Sequence, residues 1–311
     1  LGEQGPLPAN PQKTGQLNMT DTRPVAIVGL GLMGEVYARR LLDAGFPVAG
    51  YDIEPARRER LDSMGGHSAA SIAELARRAR CVLLAVFNTD QVEDVVENHL
   101  LPALGENSQQ IVVCMSTCDP DRIAALGERV ASRGLRFLDL PVSGTSEQIR
   151  QGDGVGLIGG DRQITADVKP VLDALFVRTF HVGKLGDGGR AKLAVNLILA
   201  LNRLALAEGL VFAERLGLDP AAFLPVAQGS AAYSQVMDTK GPKMVRGDFT
   251  PEGRAKQTLK DAYIMREQGR AAGQMLSMLD VHIDVLESCV AHGEGELDNS
   301  VVIKEVRRRR R

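Results

Sequence analysis

The chain has 311 residues, 44% hydrophobic and 24% charged, with a formal net charge of -2, enough for two domains and a large core, and too close to neutral to suggest a polyanionic partner. It has no Trp and only 4% aromatic residues, so base-stacking platforms for nucleic acid are not expected. Its four cysteines (Cys81, Cys114, Cys118, Cys289) form no CxxC pair and its five histidines are scattered, which predicts reduced, buried thiols in a cytoplasmic protein and no metal site.

Residues 1–22 open with a Gly/Pro/Gln-rich stretch that has no apolar period and lacks the apolar core of a signal peptide. They read as a disordered or expression-derived leader, with Met19 as a candidate start. The first strand is Val25 to Val28, and the turn Gly29-Leu30-Gly31-Leu32-Met33-Gly34 follows it. Apolar residues then recur at helical spacing through Val36, Ala38, Leu41 and Leu42, and a second strand ends at Asp52, 18 residues after Gly34. This is the strand–GxGxxG–helix context of a dinucleotide site. The first glycine allows the tight turn, the second admits a pyrophosphate against the backbone, and the third lets the helix pack on the strand. The phosphates sit at the positive end of the helix. A carboxylate at Asp52 suits the two ribose hydroxyls of NAD and repels the extra phosphate of NADP. Arg57 and Arg58 nearby keep NADP as the alternative.

The alternation continues. Ser71-Ile72-Ala73-Glu74 reads as a capping box. Strands are predicted at 81–86, 111–116, 136–141, 154–160 and 177–183, with helices over 89–97, from Asp119-Pro120, and over 162–175. The fold predicted for 23–185 is α/β: a Rossmann, doubly wound, mostly parallel sheet. Ligands in such sheets meet the carboxyl ends of the strands, which nominates Val86, Phe87, Ser116, Thr117 and Ser143.

Strand signals stop near residue 185, and residues 186–306 read as an all-α domain built on one long central helix. That helix starts around Gly186, Gly188 and Gly189 and ends at Gly217 and Pro220. It is apolar on nearly every face, which predicts enclosure by other helices. Four more helical stretches are expected near 220–228, 252–270, 275–292 and 299–308. The charges at Lys192, Arg203 and Glu208 argue against a membrane span, since each costs about 2.5–3.5 kcal/mol near a bilayer centre. Residues 307–311 are five arginines, read as a solvated or disordered basic tail.

Lys192 and Asn196 are one helical turn apart and share a face. Hydride transfer at a carbon must be matched by proton transfer at oxygen, and a lysine whose pKa is lowered by burial can act as base or acid. Asn196 can orient a substrate without adding charge, and Gly188 and Gly189, one turn earlier, would let the cofactor or substrate approach closely. Hydroxyl and N–H donors at Ser143, Gly144 and Thr145 suit a carboxylate.

Five stretches occur in one order: "GLGLMG" (29–34), "MSTCDP" (115–120), "LDLPVSGT" (138–145), "GRAKLAVN" (189–196) and "LKDA" (259–262). On these the chain resembles the β-hydroxyacid dehydrogenase family, the group of 3-hydroxyisobutyrate dehydrogenase, tartronate semialdehyde reductase and glyoxylate/succinic semialdehyde reductase, with its 6-phosphogluconate dehydrogenase-like NAD-binding domain. The resemblance spans roughly 23–308. It implies NAD-dependent oxidation of a small β-hydroxy acid, with Lys192 transferring the proton and Asn196 contacting substrate. It also implies a carboxylate site at Ser143, Gly144 and Thr145, a nicotinamide-ribose contact at Thr117, a cofactor loop of Val86, Phe87 and Gln91, and Lys260 closing over the cofactor. Chains of the family associate through the long helix, so a homodimer or homotetramer is expected. Thr145 stands where many members have Gly, Val195 where many have Asn, and Gly253 where an aromatic is common. The alternatives are an NADPH-dependent glyoxylate/succinic semialdehyde-type reductase, which Val195 favours, and a non-enzymatic cofactor-binding scaffold that holds nucleic acid with the arginine tail.

Overall fold

The computed structural model describes residues 23–104 and 108–309; the leader over 1–22 and the last two arginines lie outside them. The first half alternates as expected: β1 (Val25–Val28), α1 (Leu32–Asp43), β2 (Val48–Tyr51), α2 (Pro55–Ser63), β3 (His67–Ser68), α3 (Ile72–Arg78), β4 (Cys81–Leu84) and α4 (Thr89–Asp94). A π-helical turn, Val95–Leu100, extends α4. Then follow β5 (Ile111–Cys114), α5 (Pro120–Ala131), β6 (Arg136–Asp139), β7 (Val142–Ser143), α6 (Ser146–Arg150), β8 (Val155–Gly159), α7 (Arg162–Leu175) and β9 (Arg178–Gly183).

The strands form one sheet in the order β3-β2-β1-β4-β5-β6-β8-β7, with β9 paired to β8. Pairing is parallel except where β8 meets β6 and β7. Strands β1, β4 and β5 are buried along their whole length, as a sheet covered on both faces requires. Alternation assigns Val25 and Ile27 to the core beneath α1 and α7, and Ala26 and Val28 to the core beneath α3 and α5. Tyr37 meets Phe176 edge-on in the first of these, ring centroids 6.4 Å apart.

The order reverses between β1 and β4, and residues just beyond their carboxyl ends line a cavity. Strands β4, β5 and β6 stop two residues before the apolar runs that announced them. The residues that follow peel away as loops facing the second half of the chain.

That second half holds α8 (Asp187–Arg215), α9 (Pro220–Gln228), α10 (Val236–Arg246), α11 (Ala255–Ala271), α12 (Ser277–Ala291) and α13 (Val302–Arg308) around their own core. Helix α10 is not evident in the sequence, which has Gly241 and Pro242 at its centre. The glycine lets α9 pack closely, since a Cβ at 241 would lie 2.7 Å from the end of the Leu224 side chain, which would have to shift. The short β3, β7 and α6 are likewise unannounced.

Two expectations are corrected. Helix α8 is not enclosed: Ile198 is 62% and Phe212 66% exposed. By length and composition alone α8 would cross a membrane, but its remaining faces pack on α9–α13 and β8. The described residues of the basic tail, 307–309, are not free either. Arg307 and Arg308 complete α13 and, with Arg309, pair with Glu214, Glu294 and Asp284 at 2.7–3.0 Å.

Candidate active site

A cavity of about 1040 Å³ runs from the glycine turn to the face of α8. Its lining draws on β-strand ends and on α8, α10 and α11, so both halves of the chain build it.

At the Rossmann end, each glycine answers to a different neighbour. Gly29 has φ +93° and a Cβ there would lie 2.5 Å from the Ala85 carbonyl oxygen. A Cβ at Gly34 would lie 1.9 Å from the Gly29 carbonyl oxygen, so α1 can pack on β1 only without it. At Gly31 a Cβ would meet nothing closer than Arg57 Nη1 at 3.9 Å. Gly31 is the N-cap of α1 and supplies no side-chain cap. The N–H groups of the first turn therefore face an open cradle whose electrostatics favour a phosphate. These residues fit a dinucleotide.

Asp52 is buried in the same cavity wall. Its Oδ2 accepts from the Leu30 N–H at 2.7 Å and its Oδ1 from Glu54 N–H at 2.9 Å. Arg57 Nη1 pairs with it at 3.2 Å, and Arg58 lies over the Tyr51 ring while donating to the Asp52 carbonyl. Arg57 thus lines the cavity beside Asp52, and Arg58 is held next to it on the Asp52 carbonyl.

The loops after β4 and β5 are tied together. Ser116 Oγ donates to the Val86 carbonyl at 2.7 Å, and Gln91 Oε1 accepts from Phe87 N–H at 2.8 Å. Ser116 and Thr117 do not cap α5; Asp119 does, accepting from Asp121 and Arg122 N–H. Val86, Phe87, Gln91 and Thr117 all line the cavity. Lys260 of α11 reaches across to donate to the Thr117 carbonyl at 2.5 Å and sits 5.8 Å from the Phe87 ring centroid. It clamps the two loops to the helical half.

On α8, Lys192 is only 7% exposed and lines the cavity together with Asn196. Burial lowers the Lys192 pKa to about 8; Asp261 opposes that shift and Lys260 adds to it. Asn196 Nδ2 donates to Asp261 Oδ2 at 3.2 Å. Lys260 Nζ lies 2.8 Å from Asp261 Oδ1 but off the hydrogen-bonding direction, so that oxygen is buried without a hydrogen bond. Asp261 is the residue that sequence reasoning missed. Lys260-Asp261 reads as an ordinary exposed pair, yet the structure turns the carboxylate inward, and "LKDA" carried the only signal.

Ser143, Gly144 and Thr145 line the same cavity. Ser143 ends β7, and Gly144 has φ +140°, a conformation L side chains rarely adopt. The expectation for Thr145 is corrected in part. Its N–H donates to Gln148 Oε1 at 2.8 Å and its Oγ1 accepts from Gln148 N–H at 3.2 Å, a capping box for α6. Its N–H is therefore engaged, which leaves the hydroxyl hydrogen as its free donor. The pattern Thr145-x-x-Gln148 was legible beforehand.

Gly188 and Gly189 are also reassigned. A Cβ at Gly188 would lie 2.6 Å from the Leu157 carbonyl oxygen and 2.9 Å from Asp139 Oδ2. The close approach is the sheet against α8, not a ligand. Gly189 N–H donates to Asp139 Oδ2 at 2.7 Å, and burial raises the Asp139 pKa to about 7 despite that bond. The start of α8, and hence Lys192, is fixed on the end of β6. Among the described residues no group of His, Cys, Asp and Glu is placed to hold a metal.

Residues 24–183 match the family model described as the NAD binding domain of 6-phosphogluconate dehydrogenase, and 186–306 that described as NAD-binding of NADP-dependent 3-hydroxyisobutyrate dehydrogenase. The chain is 30% identical to an L-threonate dehydrogenase of Cupriavidus necator over 284 residues, 91% of this chain and 96% of that one. It is 28% identical to a 2-hydroxy-3-oxopropionate reductase of Escherichia coli, covering 90% and 96%. A solved 3-hydroxyisobutyrate dehydrogenase from Salmonella typhimurium superposes with a TM-score of 0.83 at 27% identity, covering 91% of this chain and 99% of that one. The site is that of a nicotinamide-dependent oxidoreductase acting on CH–OH groups. The chain belongs to the β-hydroxyacid dehydrogenase family.

Proposed function

We propose that this enzyme interconverts a small β-hydroxy acid and its carbonyl form, with Lys192 as the general acid/base and NAD as the preferred cofactor. The observation that carries the reading is a buried amine, its pKa lowered by burial to about 8, that lines one cavity with the glycine turn and with Ser143, Gly144 and Thr145. When bound, the nicotinamide accepts or returns the hydride. The residues do the rest. For oxidation, neutral Lys192 takes the hydroxyl proton; for reduction, the ammonium form returns it to the carbonyl oxygen. A pKa near the working pH leaves both forms populated. Ser143 Oγ, Gly144 N–H and the Thr145 hydroxyl are the donors available to the substrate carboxylate. Asn196, fixed by Asp261, directs its remaining amide donor and acceptor at the substrate. Lys260 holds the cofactor loops rather than the substrate.

NAD is favoured because Asp52 sits buried at the ribose position and would repel a 2′-phosphate. Arg57 and Arg58 beside Asp52 support the NADP-using semialdehyde reductase as the second reading. The scaffold alternative is opposed by the ion pairs that engage Arg307, Arg308 and Arg309. The uncovered apolar face of α8 supports a homodimer or homotetramer, and light scattering that reports a monomer would contradict it. Lys192→Ala tests the mechanism: turnover of hydroxy acids should vanish while NADH binding, read by its fluorescence, persists. Retained turnover would remove Lys192 from the reaction.

A further inference from the structure

The cavity-facing stripe of α8 does not stop at Asn196. Lys192, Asn196, Leu199 and Arg203 all line the cavity, and their spacing of four, three and four residues confines them to an arc of about 60°. Arg203 is 6% exposed. Its Nε has no hydrogen-bond partner.

Among the described residues no acid neutralises this guanidinium at contact distance. Asp298 acts on it through space, but both Asp298 oxygens are already engaged. They accept from Lys240 Nζ at 3.1 and 2.9 Å, from Ser300, and from the Glu252 and Gly253 N–H groups. Glu252, which lines the cavity, pairs with Lys240 and Lys243 at 3.2 and 3.4 Å. His282 lies near enough to feel Arg203, but burial lowers its pKa to about 3, so it is neutral. Burial lowers the Arg203 pKa to about 10 and still leaves it charged at neutral pH. A buried cation without a partner is strongly unfavourable, and an anionic ligand relieves it.

We infer that Arg203 is a specificity residue that holds a second carboxylate on the tail of the substrate, so that the preferred hydroxy acid is an extended dicarboxylate. This rests on the reading of Lys192 above and adds the far end of the substrate to it. The length follows from the helix. Eleven residues separate Lys192 from Arg203, a rise of about 16 Å. Both side chains lean toward the helix N-terminus, so their cationic ends keep roughly that spacing. Allowing about 3 Å for a hydrogen bond at each end leaves about 10 Å between the reacting hydroxyl and the tail carboxylate. Gly253, in the same cavity wall, leaves room for such a tail. A Cβ there would meet only Asn299 Nδ2, at 3.3 Å.

The test is binding, which needs no turnover. Calorimetry on the NADH-loaded protein would compare unbranched dicarboxylates from four to ten carbons with monocarboxylates of the same length. One charge-assisted contact predicts a preference of roughly ten- to hundredfold for the dicarboxylate, confined to the longer chains. The dicarboxylate-to-monocarboxylate ratio should collapse towards one in Arg203→Met and recover in part in Arg203→Lys. A wild-type ratio near one at every length would overturn the inference, as would a preference that survives Arg203→Met. The wild-type series stands alone if a variant does not fold. Failure of the Lys192 reading looks different: hydroxy-acid turnover would survive Lys192→Ala whatever the binding ratios are.

Discussion

If burial is what tunes Lys192, removing its charge must stabilise the fold. Its pKa falls from 10.5 to about 8, and each tenfold change in acidity is worth about 1.4 kcal/mol. The ammonium form therefore costs about 3 kcal/mol of folding free energy. The folded chain binds fewer protons than the unfolded chain between pH 8 and about 10.4, so wild-type stability rises with pH across that window. Below pH 8 the penalty is present in full; above about 10.4 it is gone. Lys192→Met keeps the length of the side chain and deletes the charge. At pH 7 it should raise Tm by about 5 °C for a chain of this size, while abolishing turnover. The gain should shrink as pH climbs from 8 towards 10. Differential scanning calorimetry of both proteins across that range is the assay. A lower Tm for the variant at pH 7, or a gain that ignores pH, would refute the reasoning that burial sets the amine's acidity.

Asp261→Asn removes the charge that raises the Lys192 pKa. The pH dependence of kcat/KM should move to lower pH, and its maximum should fall roughly 10- to 100-fold as Asn196 loses its charged acceptor. The glycines separate fold from binding. Gly34→Ala forces a Cβ to 1.9 Å from the Gly29 carbonyl oxygen and should destabilise by more than about 2 kcal/mol in urea unfolding. Gly31→Ala meets no such obstacle, so its stability should change by less than about 1 kcal/mol while NADH affinity falls. Asp52→Ser should free Arg57 and shift the NADP-to-NAD ratio of kcat/KM upward by about tenfold or more, the worth of one charged contact; an unchanged ratio would show that Asp52 does not select the cofactor.

What could be read in the sequence follows from the range of the interactions involved. The strand–glycine–helix unit is local, and so is the burial of β1, β4 and β5, which shows as uninterrupted apolar runs. The pairing of Lys192 with Asn196 on one face follows from helical period alone. Features set by long-range contact were hidden. Helix α10 runs through Gly241 and Pro242, with Leu224 of α9 packed against the glycine. Asp261 turns inward because α11 docks on the loops held by Lys260, which sequence spacing cannot show. Gly188 and Gly189 looked like ligand contacts because a glycine pair signals close approach without saying to what, and here it is β6 and β8 at Gly188 and Pro120 of α5 at Gly189. The role of Arg203 lay between these cases: its place on the Lys192 stripe was legible, but its lack of a partner was not.

The central claim is that one buried amine gives and takes the reaction's proton. The pH dependence of kcat/KM in both directions on the wild-type enzyme tests it most directly. Oxidation should rise with pH and level off above a pKa near 8, and reduction should fall through the same value, because one needs the amine and the other the ammonium. Two profiles that are flat across pH 6 to 10, or that bend in the same direction, would contradict it.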